Sequence, residues 1–171
     1  MSISDSLLPE FDQEMDGARR TLERVPEDRF DWKPHAKSGS MIWLAGHLAN
    51  IPYWATLTIQ EDELDLMPGG KPLPQPPAPT SVDQMLAGFD QRVREARAAI
   101  AGADDAAFLA PWSLLRNGVT IFSMPKVAVL RSFVMNHLIH HRAQLGVYLR
   151  LNDIPVPALY GPSADENPPG M

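Results

Sequence analysis

The chain has 171 residues, no cysteine and a formal net charge of −6 at pH 7. This length favours a single domain, the missing cysteines exclude disulfides and thiol nucleophiles, and the negative charge argues against nucleic-acid binding. The first residues lack the basic and apolar regions of a signal peptide, and no apolar run approaches the ~20 residues of a membrane span. We therefore expect a cytoplasmic protein.

Four segments have the spacing of amphipathic helices. Apolar residues recur at intervals of three and four, as at Leu7 and Phe11 in the first segment. Ser40 and Ser81 stand where the second and third helices need an N-cap, and Pro125 suits the first turn of the fourth. The predicted helices cover residues 3–25, 40–60, 81–101 and 124–151.

Proline separates these helices. The chain has 17 prolines, about twice the usual share of ~5%, and they concentrate in segments 68–79 and 152–171. Because proline lacks an N–H and fixes φ, we expect a stiff connector in the first segment and an extended tail in the second. Asn117-Gly118, flanked by β-forming residues, indicates a short hairpin.

The predicted elements indicate the fold class. Each long helix has one apolar stripe to bury, and four such helices joined by one large crossover loop are typical of a four-helix bundle. We therefore predict an all-α, single-domain protein over residues 1–171, whose crossover loop can hold the short hairpin.

Three histidines lie on apolar helix faces. His137 and His141 are four residues apart, so they project from one face of the fourth helix, ~40° apart. His47 shares a face of the second helix with Trp43 and Trp54. Buried imidazoles need partners, and either hydrogen bonds within the core or a shared cation can supply them. Because facing helices of a bundle commonly build metal sites, we predict that these three histidines bind one metal ion.

The roles of several neighbouring side chains stay open. Gln144 lies on the histidine face and either hydrogen-bonds a ligand imidazole or ties the core together. His140 is an alternative fourth imidazole, whereas His35 lies in a polar loop and is expected in solvent. Arg142 and Arg150 are expected at the surface or near the helix C-terminus.

Two stretches of the sequence resemble a known family. NHLIHHRAQLGVYLRLNDIPVPALYGPSADE (136–166) closely resembles the C-terminal signature of the DinB/YfiT-like family, and FDWKPHAKSGSMIWLAGHLAN (30–50) looks like the entry to that family's second helix. The resemblance covers nearly the whole chain. It implies an up-down-down-up four-helix bundle and a divalent metal ion held by three histidines, which match His47, His137 and His141.

The resemblance and the residues together indicate a function. Relatives with assigned activities include S-transferases and maleylpyruvate isomerases that use low-molecular-weight thiols, and many are homodimers. Three neutral imidazoles suit zinc, nickel or iron, and such an ion can activate water or a thiol. We expect a metal-dependent hydrolase or transferase acting on a small molecule. The alternatives are a metal-binding stress-response or ligand-binding protein without turnover, and a purely structural bundle.

The fourth helix is also apolar on the side opposite the histidines. This apolar strip contains Met135, Ile139, Ala143, Gly146 and Val147. A helix that is apolar on both sides must be covered on both sides, and a two-fold partner that presents the same strip is the simplest cover. We predict a homodimer; the alternative is that the connector or the tail covers the strip within one chain.

Overall fold

The computed structural model describes residues 2–74 and 76–167 as a mainly helical protein with a small sheet. The long helices are α1 (Ile3–Leu22), α2 (Met41–Gln60), α3 (Val82–Gly102) and α6 (His137–Arg150), and the short ones are α4 (Asp105–Leu109) and α5 (Lys126–Val129). The strands are β1 (Glu63–Asp65), β2 (Pro111–Arg116) and β3 (Val119–Pro125). No helix in these two ranges is both long enough and apolar enough to cross a bilayer.

Side-chain caps fix where the first three long helices begin. Ser2 Oγ accepts the N–H of Asp5 at 3.1 Å, and the Asp5 carboxylate accepts the N–H of Ser2 at 2.9 Å, which is a capping box. Ser40 and Ser81 accept the backbone N–H three residues further on, at 3.3 and 3.1 Å. The first helix ends at Leu22 rather than at residue 25.

The fourth helix begins later than the predicted residue 124, and part of it is π-helical rather than α-helical. Pro125 closes β3 and pairs with Pro111 across the sheet, so strand pairing overrides its preference for a first helical turn. The helical run starts at Lys126. Residues Leu130–Asn136 then form a π-helical turn, which ends directly before His137. Turns of this kind are frequent at functional sites.

A three-stranded sheet corrects the all-α expectation; β1 lies between α2 and α3, and β2 and β3 lie between α4 and α5. The predicted hairpin forms between β2 and β3, and Asn117 and Gly118 in its turn both have positive φ, 53° and 75°. β1 adds a parallel strand beside β2. The Asp65 carboxylate accepts the N–H groups of Asn117 and Gly118 at 2.8 and 2.7 Å, so it ties the hairpin turn to β1.

The long helices pack around a hydrophobic core. α2 lies against α3 and α6, and α1 also lies against α3 and α6. Large, fully buried side chains come from each of them and include Phe11, Leu22, Leu48, Phe89, Ile100, Leu138 and Leu149. This packing turns one face of α2 toward one face of α6, and the histidines lie on these two faces.

The two proline-rich segments differ in how they are held. The connector forms a short 3₁₀ turn at Pro68–Gly70 and then runs without helix or strand through 71–74 and 76–79, while Gln75 lies outside the described residues. The tail is bound to α1 and to the residues that follow it. Arg20 of α1 donates to the Ala158 carbonyl at 2.6 Å, and Glu166 pairs with Arg24 and accepts the N–H of Ala158 at 2.9 Å. Its residues 168–171 lie outside the described part.

Arg142 is buried, contrary to the expected surface position. The residue is 3% exposed, and its partner Glu14 is 5% exposed. The guanidinium pairs with the Glu14 carboxylate at 2.8 Å, and the Tyr160 hydroxyl donates to the same carboxylate at 2.7 Å. Gly17 makes room for this pair, because a Cβ there would lie 2.6 Å from the guanidinium. The pair thus joins α6 to α1 in the protein interior.

Candidate metal centre

The three predicted histidines meet between α2 and α6. His47 lies in the first half of α2, and His137 and His141 lie one turn apart at the start of α6. Ring centroids are 5.3 Å apart for His47 and His137, 4.6 Å for His47 and His141, and 4.5 Å for His137 and His141. All three side chains are partly buried, so the cluster is neither sealed in the core nor fully open to solvent.

The donor atoms of these histidines converge. One nitrogen from each ring lies within 4.8 Å of the other two, and Nε2 of His47 is 3.1 Å from Nε2 of His137. Imidazole nitrogens bound to one zinc ion, each ~2.0–2.1 Å from it, lie roughly 3–4 Å apart. Within residues 2–74 and 76–167, no other group of histidine and carboxylate side chains brings three donors together this closely.

The cluster keeps its imidazoles uncharged. Burial lowers the pKa of His47 to about 4, and the neighbouring His141 and His137 add to this shift. Burial also lowers the pKa of His137 and of His141. A metal ligand must be a neutral imidazole, so side chains that resist protonation at pH 7 offer their lone pairs to a cation without first losing a proton. The donor set therefore fits a divalent ion.

Gln144 orients one of the imidazoles. Nδ1 of His141 lies 2.8 Å from Oε1 of Gln144; because that oxygen can only accept, the ring nitrogen donates and Nε2 is left as the basic atom. Of the two roles considered for Gln144, this contact supports the hydrogen bond to a ligand imidazole. Tyr148, one turn further along α6, instead donates to the Gly39 carbonyl at 3.3 Å.

Two tryptophans flank the cluster. Trp54 packs edge-on against His47 and His137, with centroid distances of 5.7 and 5.1 Å. Trp43 stacks on His47 at 5.5 Å with 5° between the ring planes, and 57% of it is exposed although its helix face was predicted to be buried. Trp43 therefore covers His47 from the solvent side.

A cleft of about 160 Å³ leads to His47 from the surface. Trp43, Gly46 and Asn50 line it on α2, and prolines of the connector line the opposite side. A Cβ at Gly46 would lie 3.2 Å from Pro79, so glycine allows the connector to run this close to the helix. The proline-rich segment thus forms one wall of the approach to the cluster.

The two remaining histidines lie outside the cluster. His140 is exposed; its ring is 4.9 Å from that of His141, and its Nε2 lies 3.1 Å from the Gln144 amide nitrogen. His35 is also exposed, and its Nδ1 accepts the N–H of Lys37 at 3.1 Å. Neither belongs to the group of three converging donors.

Comparison with known proteins identifies the family. The model of the DinB superfamily matches residues 10–145, a stretch that contains all three clustered histidines. The chain belongs to the DinB superfamily. This confirms the resemblance seen in the sequence. Among curated proteins, none matches this chain.

Two solved DinB-like structures are similar to this chain over nine-tenths or more of its length. One, from Bacillus cereus ATCC 10987, is 18% identical with a TM-score of 0.68, and the match covers 93% of this chain and 98% of that one. The other, YjoA from Bacillus subtilis, is 16% identical with a TM-score of 0.69 and coverages of 90% and 96%. At this level of identity the similarity shows a shared fold.

Proposed function

We propose that this DinB superfamily protein is a metal-dependent enzyme built on an up-down-down-up four-helix bundle, with one divalent ion held by His47, His137 and His141. The observation that carries the proposal is the convergence of three imidazole nitrogens within 4.8 Å. Imidazole ligands suit several first-row metals, so we propose zinc, nickel or iron as the ion.

The proposed chemistry follows from the donor set. A divalent ion with three neutral ligands keeps its double charge and supplies Lewis acidity near neutral pH. Gln144 holds the ring of His141 in one orientation, and Trp43 and Trp54 limit the access of water to the imidazoles. These features support hydrolysis or thiol transfer on a small molecule. Because the chain has no cysteine, a thiol would enter as a low-molecular-weight co-substrate.

One observation favours an alternative, a metal-dependent binding or stress-response protein without turnover. In the described part of the chain, the three converging donors are all histidines and are joined by no carboxylate. A general base of the usual side-chain kind is therefore not built into the cluster. A panel of thiol-transfer and hydrolysis substrates, assayed with metal-loaded protein, separates catalysis from binding alone.

Metal loading is expected to stabilise the folded protein. An ion that binds the folded chain and not the unfolded chain stabilises it by ~2.7 kcal/mol when present at a hundredfold excess over its dissociation constant. The measurement compares metal-free and zinc-loaded protein, purified without a His-tag, in thermal unfolding at pH 7.5, with elemental analysis of both samples. Identical melting temperatures for the two verified samples would overturn the proposed site.

The stability of the metal-free protein is expected to depend on pH. Because burial lowers the folded-state pKa of His47 to about 4, the unfolded chain takes up protons first, near the ordinary histidine pKa of ~6.5. The metal-free protein is therefore expected to lose stability as pH falls from ~6.5 toward that lower folded pKa. A His47→Gln variant lacks this shifted group, so its metal-free form should depend less on pH over the same range.

We also propose that the protein forms a homodimer through the part of the apolar strip that lies on α6. Met135 of the strip is 2% exposed and belongs to the core, and a Cβ at Gly146 would lie 3.8 Å from Val156 of the tail. The tail thus covers one portion within the chain. Ala143 remains exposed, and Val147 is 58% exposed. This exposed remainder supports a contact with a second copy.

A charge at the proposed contact is expected to prevent dimerisation. Val147→Glu places a carboxylate on the exposed strip, where pairing with a second copy would bury it at high cost. Sedimentation velocity at tens of micromolar should show a dimer for wild type and a monomer for Val147→Glu. Val119→Glu is the matched control, because Val119 is 69% exposed and belongs to β3 rather than to α6. A monomeric wild type contradicts the proposal.

A further inference from the structure

An apolar cavity of about 230 Å³ adjoins His137. Its helical wall includes Trp54 of α2, Val129 of α5 and Phe133 of the π-helical turn. The cavity is separate from the cleft that reaches His47 under the connector, because the two share no lining residue. The candidate metal centre therefore has an apolar space on the His137 side in addition to the cleft on the His47 side.

The small sheet forms the other wall of this cavity. Leu64 of β1, Leu114 of β2 and Phe122 of β3 face it. Phe122 stacks on Phe133 with centroids 4.6 Å apart and 21° between the ring planes. This contact joins the sheet to the π-helical turn, so two walls of the cavity pack against each other at this point.

The cavity has the chemistry of a site for an aromatic ring. The surface that its lining residues expose is apolar, and the hydroxyl of Thr58 donates to the Trp54 carbonyl at 2.7 Å within α2. Water in such a space would lack hydrogen-bond partners, and a carbon-lined cavity of roughly 150 Å³ is known to stay dry and bind benzene. At about 230 Å³ this one accommodates one ring with a few further atoms.

Two residues connect the cavity to the histidine cluster. Trp54 lines the cavity and packs edge-on against His137, with centroids 5.1 Å apart. His137 lines the cavity as well, while its Nε2 lies 3.1 Å from Nε2 of His47. A ring held in the cavity would therefore contact the imidazole that belongs to the donor cluster.

We infer that this cavity binds an aromatic ring of the substrate and directs the group attached to that ring toward the histidines. The inference rests on the proposed metal-dependent function, because that function makes the group directed toward the histidines the part of the substrate that reacts. It makes the substrate an aromatic or similarly bulky apolar molecule, because apolar pockets with few polar groups select ligands by shape and hydrophobicity.

The first test uses fluorobenzene and protein freed of metal, followed by ¹⁹F NMR. Wild type is expected to bind fluorobenzene at millimolar concentration or below. Val129→Phe fills the cavity and should abolish binding, whereas Val119→Phe makes the same change at an exposed position of β3 and should not. Because Val129 is 2% exposed, Leu66→Trp at the 39%-exposed rim of the cavity is a second filling variant with less risk to the core.

The second test uses zinc-loaded protein and two hydroxamates, which bind zinc through the same group. Benzohydroxamate is expected to bind about 10- to 100-fold more tightly than acetohydroxamate, which is the gain from burying a phenyl-sized group. Filling the cavity should remove this preference and leave the affinity for acetohydroxamate unchanged. Equal affinities of the two hydroxamates for wild type would overturn the inference.

The two tests separate the cavity from the metal centre. Failure of fluorobenzene to bind metal-free wild type overturns the ring site whatever the metal content. Binding of fluorobenzene by a protein that takes up neither zinc nor nickel nor iron supports the ring site and overturns the proposed metal-dependent function instead.

Discussion

Replacing Arg142 with alanine is expected to lower the free energy of unfolding by about 3–5 kcal/mol. The change removes the guanidinium that pairs with the Glu14 carboxylate at 2.8 Å, and Glu14 is only 5% exposed. An unpaired buried charge costs far more than the pair contributed, because it has lost both its counter-ion and its water. Urea unfolding at pH 7.5, followed by circular dichroism, measures the change.

Two further variants identify the cause of this loss. Arg150→Ala is the matched control on the same helix: Arg150 pairs with Asp165 but its side chain is 48% exposed, so the cost should stay below about 1 kcal/mol. The double change of Glu14→Leu and Arg142→Leu removes both charges and should recover most of the stability. A loss as large for Arg150→Ala as for Arg142→Ala would show that burial of the pair is not the cause.

The long helices could be predicted because the signals that form them are local. The caps at Ser40 and Ser81 lie within three residues of the N–H groups they accept, and residues such as Leu7, Phe11 and Phe89 recur at helical spacing and are buried. The apolar spacing and the N-cap of a helix lie in the same short segment, so both can be recognised in a single sequence.

The parallel strand β1 and the buried ion pair could not be predicted in the same way. β1 contains the single apolar residue Leu64, too little for a strand pattern. It forms because the distant strand β2 pairs with it and because Asn117 donates its N–H to Asp65 at the end of β1. Arg142 finds Glu14 across 128 positions of the chain. On spacing alone an arginine belongs at the surface, and only the packing of α6 on α1 provides its partner.

In the candidate site, too, local features could be predicted and those that depend on distant segments could not. His137 and His141 could be paired from their spacing, and His47 from the apolar face it shares with Trp54. The exposure of Trp43 depends on how the helix faces the connector. The apolar cavity depends on how the sheet packs against the helices, which no local pattern indicates. The histidine cluster could thus be predicted from two helices, whereas the cleft and the cavity beside it are formed by segments far apart in the chain.

Replacing any one of the three clustered histidines with alanine is expected to weaken zinc binding severely. Loss of a residue that merely orients a ligand already costs about 10- to 100-fold in affinity, and loss of a ligand itself should exceed that. His47→Ala tests the α2 side of the centre, and His137→Ala and His141→Ala test the α6 side. Competition with a chromophoric chelator at pH 7.5 gives each affinity, and elemental analysis gives the metal content.

His140→Ala is the decisive control, because His140 is adjacent in sequence to His141 yet exposed and outside the converging group. It should retain zinc with an affinity close to that of wild type. Thermal unfolding of each metal-free variant separates loss of a ligand from loss of the fold: a variant that unfolds cooperatively but does not retain zinc lacks the site alone. Retention of zinc by His137→Ala together with its loss in His140→Ala would show that the centre uses a different face of α6, and the assignment of the three ligands as a set would then be wrong.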